Sequence, residues 1–214
     1  MAHPDHHNHD HGSGHSGGDN SPRYRKILWA ALLINAGMFA IEIGAGFKSG
    51  STSLLADAID FFGDAANYGV SIAVLSTGRV MRARAALLKG ACMLGFGVFV
   101  LARAAWVFSQ GTTPEAFTMG SIGLLALIAN VAVAAMLYAY REGDANMRSV
   151  WLCSRNDAIG NIAVMLAALG VLNTGSAWPD LLVASGMAVL ALSGGWSVTR
   201  QAAAEMKQAD ATTR

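Results

Sequence analysis

Charge is scarce in this sequence. Asp, Glu, Lys and Arg make up 14% of its 214 residues, against about 25% in a soluble domain. Neither sign is in excess, and a net charge of +1 gives no reason to expect a nucleic-acid partner. Cysteine is nearly absent too: Cys92 and Cys153 both lie inside apolar runs, which excludes a disulfide framework. Histidine is missing beyond residue 15. No small-residue cleavage site follows the first apolar run, so that run does not read as a signal peptide. What remains is apolar: 53% of residues are hydrophobic and the mean hydropathy is +0.39.

All six histidines fall between His3 and His15, interrupted by Asp and Asn. Residues 1–26 cannot build a core and read as a disordered, His-rich cytoplasmic tail. Beyond it lie six runs long enough to cross a hydrocarbon core about 30 Å thick, which takes about 20 residues of helix. They are Ile27–Phe47, Thr52–Ser76, Leu87–Ser109, Phe117–Tyr140, Val150–Leu172 and Trp178–Thr199. Turn residues mark the short connectors Lys48–Ser51, Ser109–Glu115 and Asn173–Trp178. The expected fold is all-α: a polytopic membrane protein with six transmembrane helices at 27–199 and a short polar tail at 200–214.

Lys and Arg set the orientation. Arg23, Arg25 and Lys26, then Arg79, Arg82, Arg84 and Lys89, then Arg141 and Arg148, then Arg200, Lys207 and Arg214 all flank one side. The opposite loops hold Lys48 alone. Both termini are therefore expected in the cytoplasm, and the protein in the cell membrane.

The second helix carries Asp57, Asp60 and Asp64, and the fifth carries Cys153, Arg155 and Asp157. A charge at mid-bilayer costs about 2.5–3.5 kcal/mol even on the lenient insertion scale, so these residues need a reason. Asp60 and Asp64 are four apart, on one helical face. Two carboxylates that close repel each other in a low dielectric, and a divalent cation or shared protons would neutralise them. Cys153 and Asp157 repeat the spacing. If helices two and five pack together, three carboxylates and one sulfur converge, a donor set that suits tetrahedral Zn²⁺. The sulfur would also welcome Cd²⁺; a site for Mg²⁺ or Ca²⁺ would be expected to use oxygen alone.

Each residue also has a plainer reading. A lone intramembrane Asp can pair with Arg103 or Arg155. Cys92 has no such neighbour and reads as packing. Glu42 is a proton relay or a partner for one of the two arginines. Asp57 lines an exit path or caps the start of its helix. Arg155, two residues from Cys153 and from Asp157, should face away from them and pair with an acidic group on another helix. Asn35, Asn130 and Asn161 read as interhelical hydrogen-bond formers. Gly37, Gly44, Gly46, Gly95 and Gly97 read as points of close helix approach.

Asn35–Gly46, N-A-G-M-F-A-I-E-I-G-A-G, with Ser49–Asp64, S-G-S-T-S-L-L-A-D-A-I-D-F-F-G-D, resembles the cation diffusion facilitator family. So do Asn146–Asn161, N-M-R-S-V-W-L-C-S-R-N-D-A-I-G-N, and W-P-D-L-L-V-A at Trp178–Ala184. The resemblance runs from about Arg25 to Thr199. It implies a six-helix transporter, usually a homodimer, exchanging Zn²⁺ or similar metals for protons. Two residues of helix two and two of helix five make the family's transport site; here they fall on Asp60, Asp64, Cys153 and Asp157. Two departures stand out. Cys153 occupies a position usually held by His or Asp. The family's C-terminal cytoplasmic metal-binding domain has no counterpart in the polar segment after Thr199.

The expected function is export of a divalent metal, Zn²⁺ or also Cd²⁺ or Co²⁺, by proton antiport. The metal is substrate; no prosthetic group or enzymatic activity is called for. The alternative is a non-transporting metal sensor or accessory subunit. An intramembrane aspartyl protease would show Y-D and G-x-G-D, whereas this chain has Ile59-Asp60 and Phe62-Gly63-Asp64. The histidine tail is expected to capture metal at the cytoplasmic mouth.

Overall fold

A computed structural model describes residues 22–73, 79–140 and 145–212. The side chains of 79–82, 140, 145–150, 152–153 and 208–212 lie outside that description, as do residues 1–21 with all six histidines; residues 22–26, expected within the disordered tail, instead open the first helix. The described residues form six α-helices and no strand: α1 Pro22–Ser49, α2 Thr52–Ala73, α3 Arg79–Gln110, α4 Ala116–Leu137, α5 Ala145–Thr174 and α6 Trp178–Thr212. A 3₁₀ turn, Tyr138–Tyr140, follows α4. The all-α polytopic expectation holds.

Four helices are longer than their apolar runs. At about 1.5 Å per residue, the 35-residue α6 is about 52 Å long, well beyond a core of about 30 Å. Hydropathy marks where lipid ends, whereas the backbone ladder continues into the Arg-bearing segments. Trp178 and Trp196, both exposed on α6, are 18 residues apart, or about 27 Å along the helix. That separation suits the two interfaces at which such rings collect.

The loops at the Lys48 end are tight. Gly111 and Gly175 take φ of 64° and 61° just past α3 and α5, a conformation glycine adopts without a Cβ clash. Their N–H groups donate to Val107 O at 3.0 Å and Val171 O at 2.9 Å, closing each helix on an otherwise orphaned carbonyl. The loops are also pinned to one another. Glu115 N donates to Ser49 O at 2.9 Å, and Thr113 Oγ1 to Gly175 O at 3.1 Å.

The most extensive helix packing joins α3 to α6, α1 to α2 and α4 to α5, and α2 touches all five other helices. This central place explains its composition. Among the described residues five helices are long and apolar enough to cross a membrane by composition; the sixth, α2, carries Asp57, Asp60 and Asp64. Every residue from Ser51 to Ile59 is buried, so α2 turns little of itself to lipid. The peripheral α4, by contrast, exposes Leu124, Leu125, Ile128 and Val131. The protein is a multi-pass membrane protein with its polar groups inside.

Two of the expected close approaches are real. A Cβ on Gly97 would meet Leu192 Cγ at 2.8 Å, and one on Gly46 would meet Leu55 Cδ2 at 2.7 Å. Gly37, Gly44 and Gly95 instead face open space. Gly90 and Gly195, which sequence did not single out, bring the α3 and α6 backbones together.

Candidate functional site: a carboxylate cluster on α2 and α5

Helical periodicity puts Asp57, Asp60, Asp64 and Tyr68 along α2 at intervals of three or four, and Cys153, Asp157 and Asn161 along α5 at intervals of four. The two helices pack together. Asp64 and Asp157 meet across the interface, each carboxyl within hydrogen-bonding reach of the other. Asp60 and Asp157 line one open cavity of about 470 Å³, with Met93 of α3 and Met187 and Leu190 of α6 in its wall. Behind them Asp64 is buried, and Tyr68 Oη donates to its Oδ2 at 3.1 Å. Tyr68 is held in turn by Ser154 Oγ at 2.8 Å. Lys89 of α3 donates to Asn67 Oδ1, and its charge acts on Asp64.

Thus three of the four expected ligands, Asp60, Asp64 and Asp157, lie on the facing sides of α2 and α5. The fourth, Cys153, sits on α5 one turn before Asp157, and its side chain is outside the described residues. Among the described residues no three His, Cys, Asp or Glu side chains already stand in metal-holding positions.

A second layer lies one turn along α2. Asn161 Nδ2 donates to Asp57 Oδ2 at 2.6 Å, and Asn130 Nδ2 of α4 donates to Asn161 Oδ1 at 2.8 Å. Both asparagines are interhelical, as expected. Asn35 is not: its amide donates to Ala31 O on its own helix at 2.8 Å. Glu42 of α1 is fully buried, with its carboxyl within hydrogen-bonding reach of Asp57. Among the described residues no donor reaches either oxygen of Glu42 or Oδ1 of Asp57. A contact between two carboxyls becomes a hydrogen bond only when one of them carries a proton.

The arginines are placed otherwise than expected. Arg155 is exposed; its guanidinium lies 5.3 Å from the Trp151 ring centroid and donates to Asn156 Oδ1 at 3.2 Å. Trp151 is one turn back on the same helix, so the cation finds a π face and needs no acidic partner. Arg103 sits 5.4 Å from the Phe47 ring centroid, not on Glu42.

Asp57 does not cap α2. That role falls to Asp180 of α6, which sequence reasoning passed over. It accepts from Ser51 Oγ at 2.7 Å, Thr52 N at 2.7 Å, Ser53 N at 3.0 Å and Ser53 Oγ at 2.6 Å, and is fully buried. The first N–H groups of a helix have no partner within it and favour an anion. Here a carboxylate from another helix supplies one. An Asp just inside the start of an apolar run, facing an S-T-S start elsewhere, was the available signal.

A model of the cation efflux transmembrane domain matches residues 28–206. The chain belongs to the cation efflux family. It is similar to the cadmium, cobalt and zinc/H(+)-K(+) antiporter of Bacillus velezensis, 26% identical over 206 residues that cover 89% of this chain and 64% of that protein. It is 25% identical to the zinc transporter ZitB of Escherichia coli over 213 residues, 94% of this chain and 67% of that protein. It is also similar to the metal cation efflux system protein CzcD of Cupriavidus metallidurans, 22% identical over 185 residues, 81% of this chain and 58% of that one. The chain thus spans roughly two thirds of the length of these relatives. The match from residue 28 to 206 takes in α2 and α5 with every residue of the cluster.

Proposed function

We propose that this protein exports divalent metal cations, Zn²⁺ first and Cd²⁺ and Co²⁺ with it, in exchange for protons. The relatives' names, which specify zinc, cadmium and cobalt, support the substrate class. The observation that carries the site is the shared cavity: Asp60 from α2 and Asp157 from α5 open onto one space, with Asp64 against Asp157. Cys153, one turn along α5, completes the four donors.

The chemistry follows from the donors. Carboxylate and thiolate bind metal only when deprotonated, so metal and proton compete for the same atoms. A dication entering from the cytoplasm displaces protons. On the far side protons return and release it. Rising pH therefore strengthens metal binding and falling pH weakens it. The exchange keeps the charge left in a low dielectric small at each step, and rocking of helices about the site gives alternating access. The Lys and Arg bias supports cytoplasmic termini in the cell membrane. The family resemblance supports a homodimer as the working unit, and the histidine tail supports metal capture at the cytoplasmic mouth.

The test is flux in liposomes with a pH gradient and metal-sensitive dyes. Zn²⁺ or Cd²⁺ moving against proton flow, abolished by Asp157→Ala, is expected. Cys153→Ser is expected to lower transport of Cd²⁺ more than that of Zn²⁺. Active, folded protein that binds metal and moves none would support a sensor or accessory subunit instead.

A further inference from the structure

The cluster contains two buried acids that the metal site does not use. Glu42 is wholly enclosed between helices, and Asp57 is 1% exposed. They approach each other from α1 and α2. Three of their four oxygens have no donor, and the fourth is taken by Asn161. From α6, which also packs on α2, the buried acid is Asp180, held by Ser51, Thr52 and Ser53. From α2 the facing charges are Asp57 itself and Asp60; from α5 they are Asp157 and the neutral Asn161; from α4 comes neutral Asn130, which reaches Asn161. The nearby cations of α3 are engaged elsewhere, Lys89 with Asn67 and Arg103 over Phe47.

Two carboxylates in contact, buried and with no cation among the described residues set against them, repel each other strongly in a low dielectric. One proton between them resolves it. The acid O–H of one partner donates to the carboxylate of the other, and the Asn130–Asn161 amides turn a donor towards Asp57 Oδ2. We infer that Glu42 and Asp57 form a proton-binding dyad, separate from the metal ligands, which holds one of the protons exchanged for metal. The dyad begins one turn from Asp60. A dication among Asp60, Asp64, Cys153 and Asp157 and a proton on the dyad are then two positive charges in one low-dielectric compartment, and loading either disfavours the other. Metal entry expels the proton to water; metal release lets a proton return to the carboxylate it left.

This rests on the metal/proton reading above, and the test separates the two. Infrared spectra of purified metal-free protein at neutral pH should show a protonated-carboxyl C=O band that is lost in both Glu42→Gln and Asp57→Asn. This arm needs no transport. Zn²⁺ titration in weak buffer should then release one proton fewer per bound ion in either variant than in wild type, with a correspondingly shallower pH dependence of Zn²⁺ affinity. Both variants keep a polar side chain of similar size. If one fails to fold, the other carries the comparison, and if both fail, the band of a protein carrying Asp60→Asn, Asp64→Asn and Asp157→Asn decides, since the metal-site carboxyls can no longer supply it: its presence supports the dyad and its absence overturns it. Absence of the band in wild type overturns the dyad, even where Zn²⁺ transport is intact. So does unchanged proton release in a folded variant that binds Zn²⁺. Loss of a second bound Zn²⁺ in Glu42→Gln would make the pair a metal site and also overturn it. If the band is lost in Glu42→Gln and Asp57→Asn but wild-type protein binds no metal, the transporter reading fails and the dyad survives.

Discussion

Asp180 and Asp157 are both carboxylates within a helix bundle, and their surroundings differ completely. Asp180 accepts four hydrogen bonds between 2.6 and 3.0 Å, two of them from the backbone at the start of α2. Its charge is met by fixed dipoles built into the fold. Asp157 meets another carboxyl, Asp64, and shares an open cavity with Asp60. Among the described residues, the charges that act on it are those of Asp64, Asp60 and Asp57. A buried acid whose donors are all in place is a fastener. A group of acids set against one another, with Tyr68 as donor to Asp64, is the arrangement proposed above to take a cation.

This contrast can be broken first at the cluster. Asp157→Ala should lower Zn²⁺ transport by more than about 100-fold, because loss of even an outer-shell partner costs a metal site about 10–100-fold, while the purified protein stays folded; liposome flux and elution profile check both. Asp180→Ala should do the reverse. It strands several buried donors and should destabilise the fold by about 3 kcal/mol, read as loss of thermal stability whether or not metal is present. Metal itself is the third probe. Saturation at about 100 times Kd should stabilise wild type by about 2.7 kcal/mol; Asp64→Asn should lose that gain, and Asp180→Asn should keep it. The smallest effects sharpen the packing side. Gly97→Val, forced against Leu192, should cost about 1–3 kcal/mol, whereas Gly95→Ala, with nothing within 4 Å, should change thermal stability by less than about 0.5 kcal/mol.

Much of this architecture was legible in the sequence because a bilayer imposes simple rules. Six apolar runs and three turn-rich connectors became six helices and glycine-closed loops. The spacing of four placed Asp60 and Asp64 on a face of α2 that meets Asp157 of α5. Extending the same interval would have added Tyr68 and Asn161. What periodicity could not supply was the partner of each polar group. Arg155 satisfies itself on Trp151, one turn back on its own helix. Asn35 bonds its own helix. Asp180 is spent on capping α2, 127 to 129 positions away in the chain. Such choices depend on helix rotation and tilt within the bundle, and apolar patterning says little of these once every outward face is lipid-exposed. Glycine shows the same limit. Gly97 and Gly95 look alike in sequence, yet one touches α6 and the other faces open space.

The proposed cation site is three mutually facing acids, Asp60, Asp64 and Asp157, joined by the thiol of Cys153. X-ray absorption at the zinc edge tests it most directly, on protein loaded with one equivalent of Zn²⁺ after deletion of the histidine tail. The account predicts a four-coordinate ion with one sulfur at about 2.3 Å and oxygens at about 2.0–2.2 Å, and loss of the sulfur signal in Cys153→Ser. Folded protein that retains no zinc, or a zinc shell without sulfur in the wild type, would contradict it.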